Sequence, residues 1–163
     1  MMKRRLAFSA LVLCLVLGLA ACGGSSKPEE SKAFSTDLTA FYETIFTDPQ
    51  NSPAMMELPE DMMGDMYPGL AEVERVQTVI YTPMISAVAC EVAMVEVANA
   101  DDVETVKTIF QTRIDDQVAG GAWYPETIAQ WENNSEIVVR DNYVCLFVVP
   151  DDLGNPAEAF NAL

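Results

Sequence analysis

The sequence predicts an α+β domain: an antiparallel sheet of about four strands, in two hairpins, with helices packed on it. Three observations point there. Apolar residues recur at helical spacing over 38–46 and 103–118, apolar runs of strand length fill 76–82 and 87–98, and a two-residue turn, Asp141-Asn142, joins two further strand-like runs. Helices and strands come in the order α-α-β-β-α-α-β-β-α, which suits helices laid on an antiparallel sheet.

Each element has its own warrant. Ser35 or Thr36 is placed to cap a first helix. Its Leu38, Phe41, Tyr42, Ile45 and Phe46 fall at i, i+3, i+4, i+7 and i+8, a core-facing stripe that Asp48-Pro49 ends. A Pro/Asn/Ser loop follows, then a short helix from Pro59 to Tyr67, closed by Pro68-Gly69. Val76 to Thr82 reads as a strand that Pro83-Met84 breaks. Ala87 to Ala98 reads as a second strand, apolar enough to be buried on both faces. Asp101 or Asp102 opens a long helix with Val103, Val106, Phe110, Ile114 and Gln117-Val118 along one side, and Gly120-Gly121 stops it. Trp123-Tyr124-Pro125 leads a helical piece to Trp131. Ile137–Arg140 and Tyr143–Val149 form the last hairpin, around two residues that tolerate positive φ. Asn155-Pro156 caps a final helix to Leu163.

Ahead of this domain, Lys3, Arg4 and Arg5 precede an uncharged apolar run from Leu6 to Ala21, a secretory signal too short to span a bilayer as a helix. It ends in Leu19-Ala20-Ala21-Cys22, which resembles the bacterial lipobox, whose cysteine takes diacylglycerol and becomes the new N-terminus. Ordinary secretory cleavage after Ala21 would leave bulky Leu19 three residues before the cut, where a small residue is preferred. Residues 1–21 are therefore expected to be a cleaved signal and Cys22 the lipidation site. Residues 22–33, led by Gly23-Gly24-Ser25-Ser26, form a flexible tether with a reach of about 15–20 Å, and 34–163 form the single domain. Two acyl chains hold stably where one holds marginally, so the membrane is the first expected partner and the outer face of the cell membrane the expected location.

Charge and composition narrow the function. Of nine Lys and Arg, three lie in 1–21, whereas all 25 Asp and Glu lie beyond it; six cations against 25 anions leave a net charge of −19. Nucleic acid is excluded as a partner, since phosphate contacts need clustered Lys or Arg. The chain has no histidine, which removes the usual general base at neutral pH, the Ser-His and Cys-His pairs and the commonest zinc ligand. No cofactor and no catalytic residue are expected. A hydrolase built on paired carboxylates stays open as an alternative, although among 25 acids no spacing stands out.

Other residues each carry two readings. Cys90 and Cys145 lie in predicted core strands, where neighbouring strands in register would bridge them and other registers would leave two small buried hydrophobes. Met55, Met56, Met62, Met63 and Met66 crowd one segment; thioethers suit Cu(I), but helical spacing of the last three fits core packing better. Asp61 and Asp65, Asp101-Asp102, Asp115-Asp116 and Asp151-Asp152 lack the loop order of a calcium site, so a metal-binding lipoprotein is a further alternative with no metal residue assigned. Trp123, Tyr124 and Trp131 form the one aromatic cluster outside the stripes. They either cap the core or offer a surface to a ligand or partner.

The chain also resembles a family of Gram-positive lipoproteins, the domain of unknown function 4358. The resemblance lies in Leu19-Ala20-Ala21-Cys22-Gly23-Gly24, Met55-Met56-Glu57-Leu58, Pro83-Met84, Glu91-Val92-Ala93-Met94, Tyr124-Pro125 and Asn142-Tyr143-Val144. It implies an exported, membrane-anchored α+β domain and supplies no catalytic residues. Together these observations favour a tethered, non-catalytic binding or interaction module with an unknown protein or small-molecule partner.

Overall fold

The computed structural model describes residues 33–48 and 50–163. The expected signal at 1–21, Cys22 and all of the tether but Ala33 lie outside the described residues.

Five strands form one antiparallel sheet: β1 (Met55–Glu57), β2 (Arg75–Pro83), β3 (Glu91–Val97), β4 (Ser135–Arg140) and β5 (Tyr143–Val148), in the order β1-β2-β3-β5-β4. The α+β class is as the sequence predicts, with one strand more than expected. That strand is β1, which lies in the stretch read as a loop. Three residues at a sheet edge are too short to show an alternation, and β1 is defined only by its pairing with the end of β2, Met55 opposite Pro83. The second strand also starts later than the run from Ala87 suggests. Glu91 is the first residue with a partner on β5, Val148, so the apolar residues before it form a loop.

Five helices cover the sheet: α1 (Leu38–Tyr42), α2 (Glu60–Met66), α3 (Val103–Asp116), α4 (Pro125–Asn134) and α5 (Pro156–Asn161). Alternation along the central strands divides the core into two layers. Ala93, Val95 and Val97 of β3 and Val144, Leu146 and Val148 of β5 pack with Met63, Val106, Phe110, Ile114 and Trp131 from α2, α3 and α4. Val92 and Met94 of β3, with Cys145 and Phe147 of β5, pack with Leu38, Phe41, Ala157 and Phe160 from α1 and α5. Every residue of β5 is buried, because that strand has a strand on each side and helices on both faces.

Local chemistry sets the ends. The first helix is capped by Asp37, whose Oδ1 accepts from the Ala40 N–H at 2.9 Å, one or two residues later than the hydroxyl caps expected. It also stops at Tyr42, short of its apolar stripe. The Thr44 hydroxyl donates to the Phe41 carbonyl at 2.7 Å and draws the chain into turns. Ile45 and Phe46 still reach the second core layer from there. Asp141 takes φ 50° in the final hairpin. Asn155 caps α5 by accepting from the Glu158 N–H at 2.9 Å, with Pro156 in the first turn. The chain enters this fold at the Asp141 turn, where the Phe34 N–H donates to Asp141 Oδ2 and the Phe34 ring packs edge-on against Tyr143 and Phe160.

Candidate functional site

The register of β3 sends odd-numbered residues to the α3 face, so Glu91, at the head of the strand, points inward there. Arg113 lies three residues after Phe110 on α3, which brings it to the same side of the helix as the buried stripe. The two meet in a bidentate pair: Arg113 Nε to Glu91 Oε1 at 2.9 Å and Nη2 to Oε2 at 2.8 Å. Tyr67, just past α2 and fully buried, donates its hydroxyl to Glu91 Oε1. The guanidinium also lies 5.3 Å from the centre of the Trp131 ring and 5.8 Å from that of Tyr67.

An ion pair withdrawn from water is stable only with such close geometry. Burial alone would lower the Arg113 pKa, but the hydrogen bond to Glu91 and its charge outweigh this and hold it above its ordinary value. Tyr67 is held well above the usual phenol range, first by burial and then by the Glu91 charge. Arg113 is therefore a permanent cation and Tyr67 a permanent donor.

Glu91 and Arg113 form the floor of a cleft of ≈ 180 Å³, with Met66, Val88, Ala89, Ala122 and Trp131 among its walls and Pro83, Ser86 and Trp123 at its rim. Among the described residues, the buried polar side chains are Thr82, Glu91 and Thr127, and all three line this cleft. Both tryptophans of the chain line it as well. Arg113 Nη1 makes no hydrogen bond within the described residues, and no buried side-chain polar atom there lacks a partner. Nη1 therefore keeps access to solvent, and Arg113 is one of the residues that line the cleft.

The aromatic residues singled out from the sequence thus divide. Trp131 is 4% exposed and caps the core above Arg113, whereas Trp123 is 85% exposed at the rim. Tyr124 is half exposed; its carbonyl accepts from the Thr127 hydroxyl and fixes the first turn of α4. Gly120, at φ 131°, ends the wide helical turn Gln117–Gly121 and lets the chain swing out to present Trp123.

The two cysteines are not bridged. Both are free and buried. Cys145 sits opposite Met94, four residues along β3 from Cys90, a separation of about 13 Å that no disulfide spans. Burial, helped by Glu91, pushes the Cys90 thiol up to about 12, and burial raises Cys145 further. Neither thiol is ionised at neutral pH, and the folded protein is expected to resist iodoacetamide at both. After unfolding, both should alkylate to the same mass with or without prior reduction; a mass difference would reveal a bridge.

Glu91 and Arg113, with Tyr67, Thr82 and Thr127 around them, are the site residues that the sequence did not reveal. The available signal was an acid opening an otherwise apolar strand and an arginine in an apolar helix stripe. Among the described residues, no group of three or more His, Cys, Asp or Glu gathers as metal ligands would.

A family model described as a domain of unknown function, DUF4358, matches residues 49–149. That stretch contains the whole sheet, α2 to α4 and every residue of the cleft, while α1 and α5 fall outside it. No curated protein and no solved structure matches the chain.

Proposed function

This chain belongs to the DUF4358 family of domains of unknown function, and from that premise we propose that it is a lipid-anchored, extracytoplasmic binding module of a Gram-positive cell, non-catalytic, which engages its partner at the Glu91–Arg113 cleft. The observation that carries the site is the convergence on one cleft of both tryptophans and, among the described residues, of all three buried polar side chains. Polar groups are costly to withdraw from water, and their gathering at one opening marks a place prepared for contact. Binding is favoured over catalysis because both Glu91 oxygens are already held by Arg113 and Tyr67, and the chain has no histidine to serve as a base. The anchor rests on the signal ending in Leu19-Ala20-Ala21-Cys22 and on the tether after it. No helix of the described residues is long and apolar enough to cross a membrane, so the lipid on Cys22 is what holds the domain in this reading.

The anchor is tested with Cys22→Ser in the full chain. Wild-type protein should fractionate with membranes and incorporate an alkynyl fatty acid, and the variant should lose the label almost completely. A variant that still carries the label and stays in the membrane would refute lipidation at Cys22.

A further inference from the structure

Two loops frame the cleft, and neither carries a charge. Residues 84–90 and 117–125 contain no Asp, Glu, Lys or Arg, in a chain where 21% of residues are charged. The same loops expose Met84 (63%), Ile85 (61%), Trp123 (85%) and half of Tyr124. Charged residues are thus absent from the loops at this corner of an otherwise strongly acidic domain, and the corner holds the two most exposed large apolar side chains among the described residues, Trp123 and Met84. Depletion of charge with enrichment in Trp, Tyr, Met and Arg is the composition of the buried centre of a protein interface. These residue types also supply most of the energy hot spots.

The size of the cleft selects among occupants. At ≈ 180 Å³ it falls below the ~300–1,000 Å³ of sites that enclose a small molecule, and it accommodates a single side chain. Its walls are apolar, and Arg113 Nη1 is left as a donor in the floor, its charge balanced by Glu91. The acidity of the domain argues against the bilayer, since its Asp and Glu are repelled by anionic headgroups and few cations attract them. Phe34 and Thr36 are fastened to Asp141 and Tyr143, so the domain begins at the end of the sheet marked by the pair Glu96 and Tyr143. The cleft lies at the other end, beside Glu91 and Val148, on the face covered by α3 and α4 rather than α1. Five residues of strand, about 17 Å, separate the two ends.

We propose that this corner docks an uncharged segment of another protein: one apolar side chain enters the cleft, a backbone carbonyl accepts from Arg113 Nη1, and Trp123, Met84 and Ile85 close over the segment. This deepens, and rests on, the binding-module reading.

The test uses the full-length chain in phosphatidylcholine nanodiscs, panned against a phage-displayed library of random peptides with empty nanodiscs as counter-selection. The expected peptides have an uncharged apolar centre and change the emission of the two tryptophans. They should lose about tenfold or more in affinity to Trp123→Ala and to Ile85→Asp, and keep it with Val76→Asp, on the far part of β2. Peptides that are charged, or that ignore Trp123→Ala, would overturn the proposal, as would a selection yielding none. It also falls if N-acetylglucosamine tetramers alter tryptophan emission where peptides do not, or if brominated phosphatidylcholine quenches Trp123. In both of those cases the cleft still binds; if peptide, glycan and lipid all leave the emission unchanged, the binding-module reading fails as well.

Discussion

Arg113→Leu is expected to destabilise the domain by about 3–5 kcal/mol, a large part of the ~5–15 kcal/mol that holds a domain of this size. The cost does not come from losing an attraction of that size. It comes from leaving the Glu91 carboxylate 1% exposed with only the Tyr67 hydroxyl for company. Removing both charges removes that penalty, so Glu91→Leu combined with Arg113→Leu should be far closer to wild type than either single variant. Urea unfolding of the four proteins gives the cycle directly. Single variants within 1 kcal/mol of wild type would mean that the pair is solvated. If the double variant folds at nearly full stability, the pair is dispensable for folding.

Phe160→Ala should cost about 3–5 kcal/mol, as for other large aromatic residues removed from a core. The ring is fully buried and meets four others, those of Phe34, Phe41, Tyr143 and Phe147. It is the main attachment of α5, a helix of six residues that has little stability without its packing. Loss of the ring should therefore free α5 and the Phe34 segment together, seen as faster amide exchange at both, while α3 and α4 keep their protection. A small loss of stability, or exchange that rises equally on both faces of the sheet, would show that the two layers do not divide as described.

The sequence made the outer frame of this fold legible, because that frame depends on short-range patterns. The Asp141-Asn142 turn, the asparagine cap at Asn155 and the stripe Val106-Phe110-Ile114 each announce themselves within a few residues. β1 did not, since it exists only through pairing with β2, more than twenty residues further on. The site was half legible. Trp123 and Trp131 could be picked out as aromatic residues outside the stripes, but only the fold divides them into a rim and a wall. Glu91 and Arg113 are 22 residues apart, and each by itself reads as an ordinary charge among many. Their pairing depends on the face that β3 turns to α3, a tertiary relation with no local signature.

The central claim is a cleft that holds one tryptophan open to solvent above another that is sealed into the core. Acrylamide quenching of the full-length protein in nanodiscs tests it most directly, because the chain has two tryptophans and each is isolated by changing the other to phenylalanine. With Trp131→Phe, the remaining Trp123 should be quenched nearly as readily as free tryptophan. With Trp123→Phe, the remaining Trp131 should be strongly shielded. Equal quenching of the two, or a Trp123 shielded only when the protein is held in the membrane, would contradict the account.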